Sequence, residues 1–495
     1  MRPLKLSSII FVWVFCLVGC TLGPDFETPA PPETKSYTES KLPKKTVETK
    51  GSGGQAQYFI EGKDLPACWW ELFHSKSLNA LIEKALKNSP TMQVAQAALL
   101  QAQANLQIST AAIYPTLNAQ FSPERERFNP AIFASPVPPQ TFNVFFATVN
   151  AAYTMDVFGA IRRQIEASEA QLDYQLFVTE ATYLTLTSNI VTTTIMEASL
   201  RGQIQATKEL ISLQENTLKI IRDKFRLGGT SNLDVLAQET QLAQTQATLP
   251  PLETALAKTR NALAVLVGDL PSESKIPTFS LTELHLPTEL PLSLPSCLAQ
   301  QRPDIKAAEA LLHSACAQVG VATANLFPQF TITSGYGGLS DTLDTIFKKE
   351  SIVWSLVGNV LQPIFQGGLL IEKRKAAIAG FEQALAQYKQ TILQAFQNVA
   401  DTLQALENDA KQLHIQTDAE QAAWQTLKLT QVQYKVGAVG YLNLLNAENQ
   451  YQQARIGRIQ AEATRYADTA ALFQALGGGW WNRPPIVCTI PTETK

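Results

Sequence analysis

The chain is 495 residues long, 45% hydrophobic and 17% charged, with 25 Gly and 27 Pro, which is too apolar for a disordered chain and long enough for several cores. Net charge is -3, and 40 Lys and Arg against 43 Asp and Glu leave no basic excess to neutralise a nucleic-acid backbone, so nucleic acid is not an expected partner. Four His and six Cys are scattered without a CxxC, HxH or HExxH grouping, so no resident metal or redox cofactor is expected.

Arg2 and Lys5 precede an apolar stretch at residues 9–18, too short to span a bilayer as a helix but suited to a secretory signal, so residues 1–19 read as a signal peptide. Residues 17–20, LVGC, resemble a bacterial lipobox, in which the Cys20 thiol takes a diacylglycerol and becomes the mature N-terminus. The competing account is an ordinary cysteine in an apolar run. Thr21 follows Cys20 where, in bacterial lipoproteins, Asp commonly causes retention at the inner membrane, and this favours the outer membrane. Cys68, Cys297, Cys316 and Cys488 then remain in an oxidising compartment, too few for a disulfide scaffold in so long a chain.

Residues 21–66 contain Pro24, Pro29, Pro31, Pro32, Pro43, Pro66 and a GSGG run at 51–54, the composition of an extended tether. Beyond it the chain is an internal duplication. LGGTSNLDVLAQETQLAQ at 227–244 lies over VGAVGYLNLLNAENQYQQ at 436–453, matching Gly228 with Gly437, Leu233 with Leu442, Leu236 with Leu445 and Glu239 with Glu448. SPTMQVAQA at 89–97 likewise lies over RPDIKAAEA at 302–310, and AAIYP at 111–115 over ANLFP at 324–328. The predicted organisation is a signal peptide at 1–19, an N-terminal anchored segment at 20–75, a first repeat at 76–270, a linker at 271–295, a second repeat at 296–479 and a tail at 480–495.

Each half reads as helix, strand, strand, very long helix, helix. The spacing predicts helices over 90–113 and 303–325, entered through Pro90 and Pro303 and ended by Pro115 and Pro328. Strand pairs follow at 116–128 with 142–156 and at 329–338 with 352–365, rich in β-branched and aromatic residues; a buried soluble hairpin is the alternative for these segments taken alone. From 159 to 226 and from 367 to 435 almost no Gly or Pro interrupts, so each helix reaches about 100 Å. In the second, Ile371, Ile378, Leu385, Ile392, Val399, Leu406 and Leu413 recur at seven, with Phe381, Tyr388 and Ala395 beside them, which is a coiled-coil seam. The returning helix keeps steps of three and four through Leu442, Leu445, Asn449, Gln452, Ile456, Ile459, Ala463, Tyr466, Ala470 and Phe473. The first long helix keeps this rhythm less well, with Thr179 and Thr193 among Ile165, Leu172 and Leu186.

No mature segment holds an apolar run of 18, so any membrane-spanning element is β. Four strands cannot close, and open edges are not tolerated in lipid, so strands from other copies are required. Two copies give eight strands with a filled interior and three give twelve with a lumen.

This arrangement resembles the TolC and OprM outer membrane factor family, the lipoprotein exit ducts of tripartite efflux pumps. The resemblance covers about residues 20–481. Its carriers are the lipobox with GPDFETP at 23–29, VFGAIRRQIEASEAQ at 157–171, QPIFQGGLLIEKRKAA at 362–377, YKVGAVGYLNLLNAENQ at 434–450 and ALGGGWW at 475–481. It implies a membrane α+β fold: a homotrimer with a 12-stranded β-barrel, four strands per chain, continuing into a long periplasmic α-helical coiled-coil barrel with a closed tip. It also implies an equatorial belt, a periplasmic adaptor (membrane fusion protein), an inner membrane proton-driven transporter of the RND type, and an outer membrane location.

The turns at 226–232 and 435–441 mark the periplasmic tip. Gly228, Gly229, Gly437 and Gly440 serve tight turns alone or, as the resemblance implies, adaptor docking as well. In the family motif matching YLNLLN, the first Leu and the last position, usually Asp, form successive rings at the constriction; these fall on Leu442 and Asn446. Leu442 also fits the heptad, so coiled-coil core is the other reading. Asn446 in place of Asp puts a charged ring, and cation binding with it, in doubt. Tyr434 and Lys435 match positions that tie neighbouring coiled coils together, Lys standing where the family often has Arg, and Asp234 is the nearest acidic candidate partner.

Catalytic residues are not expected. Glu124 and Glu126 alternate at period two, which reads as one charged strand face, and Gly477 to Gly479 lack the Lys and Ser/Thr of a phosphate loop. The expected function is a passive exit duct for drugs or other small toxic compounds, opened at its tip by adaptor docking. The alternatives are the same duct serving type I protein secretion, or a periplasmic coiled-coil lipoprotein without a pore.

Overall fold

The computed structural model describes residues 21–484 except 33, 35, 40, 41 and 130–137. The signal peptide, Cys20 and Cys488 lie outside the described residues. In chain order the elements are β1 (Tyr58–Glu61), α1 (Lys76–Asn88), α2 (Pro90–Ala111), β2 (Thr116–Phe128), β3 (Gln140–Met155), α3 (Ala160–Arg226), α4 (Asn232–Ala247) and α5 (Leu249–Val267). They continue with β4 (Glu289–Leu292), α6 (Pro295–Gln301), α7 (Pro303–Ala324), β5 (Gln329–Ser340), β6 (Ile352–Leu361), α8 (Leu369–Lys435) and α9 (Tyr441–Ala475). Both long helices, α3 and α8, run 67 residues, about 100 Å, and both α2 and α7 run 22.

The described residues divide into two compact units, 21–29 with Leu100–Tyr174 and Ala308–Tyr388, and 30–99 with Gln175–Ala307 and 389–484. The first unit is built on an antiparallel sheet of order β2-β3-β5-β6. Sharp exits from it need residues that tolerate positive φ. Gly159 at +80° precedes α3, and Gly367 and Gly368 at +60° and +87° precede α8. At the first junction the Asp156 carboxylate accepts from the Ile161 and Arg162 amides at 3.0 and 2.9 Å, covering donors that the helix start leaves open. β6 stops at Leu361, short of the expected 365, because Pro363 cannot continue the ladder.

In the second unit the α8 seam is buried from Ile392 on, through Ala395, Val399, Leu403, Leu406, Ala410 and Leu413. The expected companion line shifts to Leu403 and Ala410 after Val399, in steps of four and three. Ile371, expected in the same seam, is exposed within one chain. The weak rhythm of α3 has a physical cause. Thr179, Thr187, Thr207 and Thr217 are buried, and each hydroxyl lies within hydrogen-bond reach of the carbonyl one turn back, so a polar residue serves as core largely satisfied by its own helix.

Two elements were not anticipated. Pro250 and Pro251 at the first turn of α5 split the first return into α4 and α5, whereas α9 returns unbroken over 35 residues. β1 and β4 form a two-stranded parallel sheet beside the N-terminal segment. That segment is held by Arg465, whose buried guanidinium donates to the carbonyls of Gly53 at 2.8 Å and Gln55 at 2.7 Å and to Thr46 Oγ1 at 3.0 Å. Glu197, also fully buried, is paired with Arg260 at 2.8 Å and accepts from the Phe279 amide at 3.3 Å, fixing part of the linker.

Candidate channel wall and tip

The four-stranded sheet has two chemically distinct faces, and its uninterrupted register decides which residues share one. Leu117, Phe121, Phe145, Val149, Tyr153, Ile332, Tyr336, Trp354, Leu356 and Val360 fall on one face. Asn118, Gln120, Ser122, Thr148, Asn150, Thr331, Thr333, Ser355 and Asn359 fall on the other, with Phe142, Phe146, Leu339 and Val357. The apolar face is open in the single chain, Trp354 being 75% and Leu117 72% exposed, while Thr148 opposite is buried. Between Phe145 and Met155 the apolar face extends about 34 Å along β3. β2 and β6, of 13 and 10 residues, are the sheet's edges, each paired on one side only among the described residues.

The turns after α3 and α8 are copies of one another. Gly228 at φ +77° and Gly437 at φ +79° end the helices in the left-handed region. The next amides, of Gly229 and Ala438, donate to the carbonyls of Lys224 and Gln433, both at 2.8 Å, which is the Schellman pattern. Gly229 and Gly440 take negative φ, so of the four glycines singled out in the sequence only Gly228 and Gly437 meet a backbone requirement.

Leu442 is 66% exposed and Asn446, one turn later, is exposed on the same side of α9. Leu442 is thus outside the chain's own core. The buried line near the tip runs through Tyr441, Leu444 and Glu448, one residue ahead of the expected 442, 445 and 449. With Leu218, Ile221, Val235, Leu427, Tyr434 and Ala447, Tyr441 and Leu444 form the tip core. Tyr441 Oη donates to Gln238 Oε1 at 2.6 Å, a bond that sets this register.

Tyr434 is buried, its ring 6.4 Å from that of Tyr441. Lys224 Nζ lies 4.2 Å from the Tyr434 ring centroid and donates to the Tyr434 carbonyl at 3.1 Å. Lys435 is exposed and makes no ion pair among the described residues of this chain. Asp234 does not meet it. Its carboxylate instead accepts from Thr230 Oγ1 at 2.5 Å and from the Ser231 amide at 3.3 Å, completing a capping box on α4. The Thr230 hydrogen bond holds its pKa below the ordinary Asp value.

Glu448, unremarked as a functional residue in the sequence, is fully buried. It accepts a long 3.4 Å bond from Thr217 Oγ1 with the Gln214 amide beside it, and burial pushes its pKa up to about 7. Its signal was the match to Glu239, which in the structure is partly exposed and paired with Arg222 at 2.6 Å. Among the described residues no group of three or more His, Cys, Asp or Glu is placed to hold a metal, and no helix is long and apolar enough to cross a membrane.

The family model described as "Outer membrane efflux protein" matches residues 81–269 and 294–478. The chain belongs to this family. It is 28% identical over 484 residues to the cation efflux system protein CusC of Escherichia coli O6:H1, covering 97% of this chain and all of that one. It is also 28% identical over 481 residues to the toluene efflux pump outer membrane protein TtgC of Pseudomonas putida, covering 95% of each. The solved outer-membrane channel OprN superposes with a TM-score of 0.83 at 25% identity over 93% of this chain and all of that one. The fold is therefore that of the outer membrane efflux channels, which are not enzymes.

Proposed function

We propose that three copies close their strands into a twelve-stranded barrel and that the assembly is the passive exit duct of a tripartite efflux pump. The carrying observation is the two-faced, open-edged sheet. At a tilt of about 40° its apolar stretch spans about 26 Å along the membrane normal, the height of an outer membrane barrel's apolar band. The polar face then lines a lumen, and β2 of one copy pairs with β6 of the next, because unpaired edges are not tolerated in lipid. The two halves act as repeats of one unit, and lipid on Cys20 adds an anchor.

The paired coiled coils form the periplasmic duct. Three exposed Leu442 side chains converge at its tip as an apolar ring that disfavours water, with Asn446 a polar, uncharged ring behind it. The turns at 226–232 and 435–441 receive the hairpin tips of a periplasmic adaptor, which bias the tip toward an open packing. An inner membrane proton-driven transporter supplies the energy. Lys435, without an ion pair among the described residues of its own chain, ties neighbouring copies in the closed state. The names of the relatives, one of cation and one of toluene efflux, support a duct that reads little of its cargo, and Asn446 leaves the ring without the charge that would attract cations.

Planar-bilayer conductance of the purified trimer tests this. Leu442→Ala is expected to raise conductance and Asn446→Asp to raise cation selectivity; identical behaviour of wild type and both variants refutes the gate. A wild type that neither conducts nor migrates as a heat-modifiable trimer refutes the duct and favours a coiled-coil lipoprotein without a pore. Loss of bound lipid in Cys20→Ala checks the anchor.

A further inference from the structure

The run Glu124-Arg125-Glu126-Arg127 near the end of β2 is sorted by the sheet. Glu124 and Glu126 stand opposite Val144 and Phe142 on the face of Asn118, Gln120 and Ser122. Arg125 and Arg127 stand opposite Asn143 and Thr141 on the face of Leu117, Phe121, Phe145 and Val149. Alternation along a strand thus sends both acids to the polar side and both bases to the apolar side. Neither arginine makes an ion pair among the described residues, both are exposed, and their cross-strand neighbours carry no charge.

Their height matters as much as their side. The apolar face ends at the paired Pro123 and Phe145. Arg125 lies one alternation beyond, about 7 Å along the strand, and Arg127 about 14 Å beyond. At barrel tilt these become about 5 and 10 Å above the apolar band, the depth at which lipid headgroups begin. The hairpin end of β2 and β3 is the end away from α2, which precedes β2, and α3, which follows β3, so it faces the exterior if the helices lie in the periplasm. A guanidinium presents a fork of donors that fits phosphate oxygens, and its apolar stem can lie along the strand's apolar side.

We propose that Arg125 and Arg127 form an anion-binding rim that grips phosphate groups of outer-leaflet lipid. The proposal rests on the barrel reading above and goes beyond it by naming the lipid chemistry that the outer surface selects. Two arginines per chain place six around a trimer, each on the edge strand and therefore beside the junction between copies. Bound phosphate would neutralise like charges brought together there.

The test uses the intact trimer in detergent, with bisphosphorylated lipid A, dephosphorylated lipid A and inorganic phosphate as probes and bound lipid counted by native mass spectrometry. Wild type is expected to bind the bisphosphorylated form about tenfold more tightly than the dephosphorylated one, as expected for a few exposed charge pairs, each individually weak. Arg125→Ala with Arg127→Ala is expected to remove that preference, Arg125→Lys with Arg127→Lys to keep part of it, and Glu124→Ala with Glu126→Ala to keep all of it. Equal binding of both lipids by wild type, or an unchanged preference in the alanine pair, overturns the proposal. Full competition by millimolar inorganic phosphate overturns the lipid assignment. Conductance and heat-modifiable trimer migration measured on the same samples separate the two readings: a wild type that forms the trimer without lipid preference defeats the rim alone, and a wild type that neither conducts nor migrates as a heat-modifiable trimer defeats the barrel beneath it.

Discussion

Glu448 offers a pH test of the tip core. The perturbation is Glu448→Gln, which keeps the shape and an acceptor but removes the charge. In the folded chain the carboxyl is fully buried, with Oε2 unbonded, beside a Gln214 amide whose two polar atoms also find no well-aligned partner. α3 faces it with uncharged Thr217 and Gln214, and α4 contributes Gln238 to the same cluster. The titratable groups nearby are Tyr441 and, beyond it, Asp234 and Tyr434 with Lys224 over its ring, and no cation bears on the carboxyl itself. Burial therefore raises its pKa from 4.5 to about 7. Below pH 4.5 the group is protonated folded and unfolded, and there is no penalty. Between 4.5 and 7 the unfolded chain ionises while the folded one keeps its proton, so stability falls as pH rises, and above 7 the full penalty stands. The gap corresponds to about 3 kcal/mol. Amide hydrogen exchange over residues 444–452 of the intact protein reads it. At pH 4 the variant and wild type should exchange alike, and at pH 8 the variant should exchange about 100-fold more slowly, as about 3 kcal/mol of local opening energy requires. Glu239→Gln, at the exposed matching position, should show no such pH dependence. A wild-type-to-variant ratio that is the same at both pH values refutes the assignment.

Other substitutions probe the tip turns and the N-terminal segment. Gly228→Ala and Gly437→Ala meet open space but force a side chain into positive φ, so each should cost about 1 kcal/mol, seen as faster exchange in the adjoining helix end. Gly229→Ala and Gly440→Ala, at negative φ, should be close to neutral by the same measurement. Arg465→Met leaves the Gly53 and Gln55 carbonyls without their donor and should cost about 3 kcal/mol, read as rapid proteolysis of residues 44–58 while the rest of the chain stays resistant.

Much of the architecture is legible because prolines and glycines punctuate it. Pro90, Pro115, Pro303 and Pro328 bracket the short helices, and the absence of such residues leaves two long helices whose expected and observed bounds differ by no more than two residues. The faces of the sheet are legible from alternation once the register is known, and the charged pair Glu124 and Glu126 shares a face as expected. The missed features share a cause. Hydrophobicity is a poor guide where a polar residue is satisfied by its own helix, as with the threonines of α3. It is equally poor where a carboxyl is buried as neutral acid, as with Glu448, and there the tip seam is read one residue late. The pairing of β1 with β4 joins residues such as Tyr58 and Glu289, and four-residue strands so far apart carry no periodic signal. Asp234 reads as a partner for Lys435 from its position in the repeat, but Thr230 and Ser231 lie closer and claim it first.

The two sheet edges also differ in how they treat strangers. β2 carries Pro123 and four alternating charges, the devices that keep an exposed edge from pairing with unintended strands. β6, with the sequence IVWSLVGNVL, has neither a charge nor a proline. On the proposed assembly, an unassembled chain exposes one guarded edge and one adhesive edge, and two β6 edges meeting each other would form the off-pathway dimer that the sequence does least to prevent. Yield of the proposed ring should fall when synthesis outruns delivery to the membrane, and a single lysine placed on the polar face of β6 would trade some final stability for a cleaner route to it.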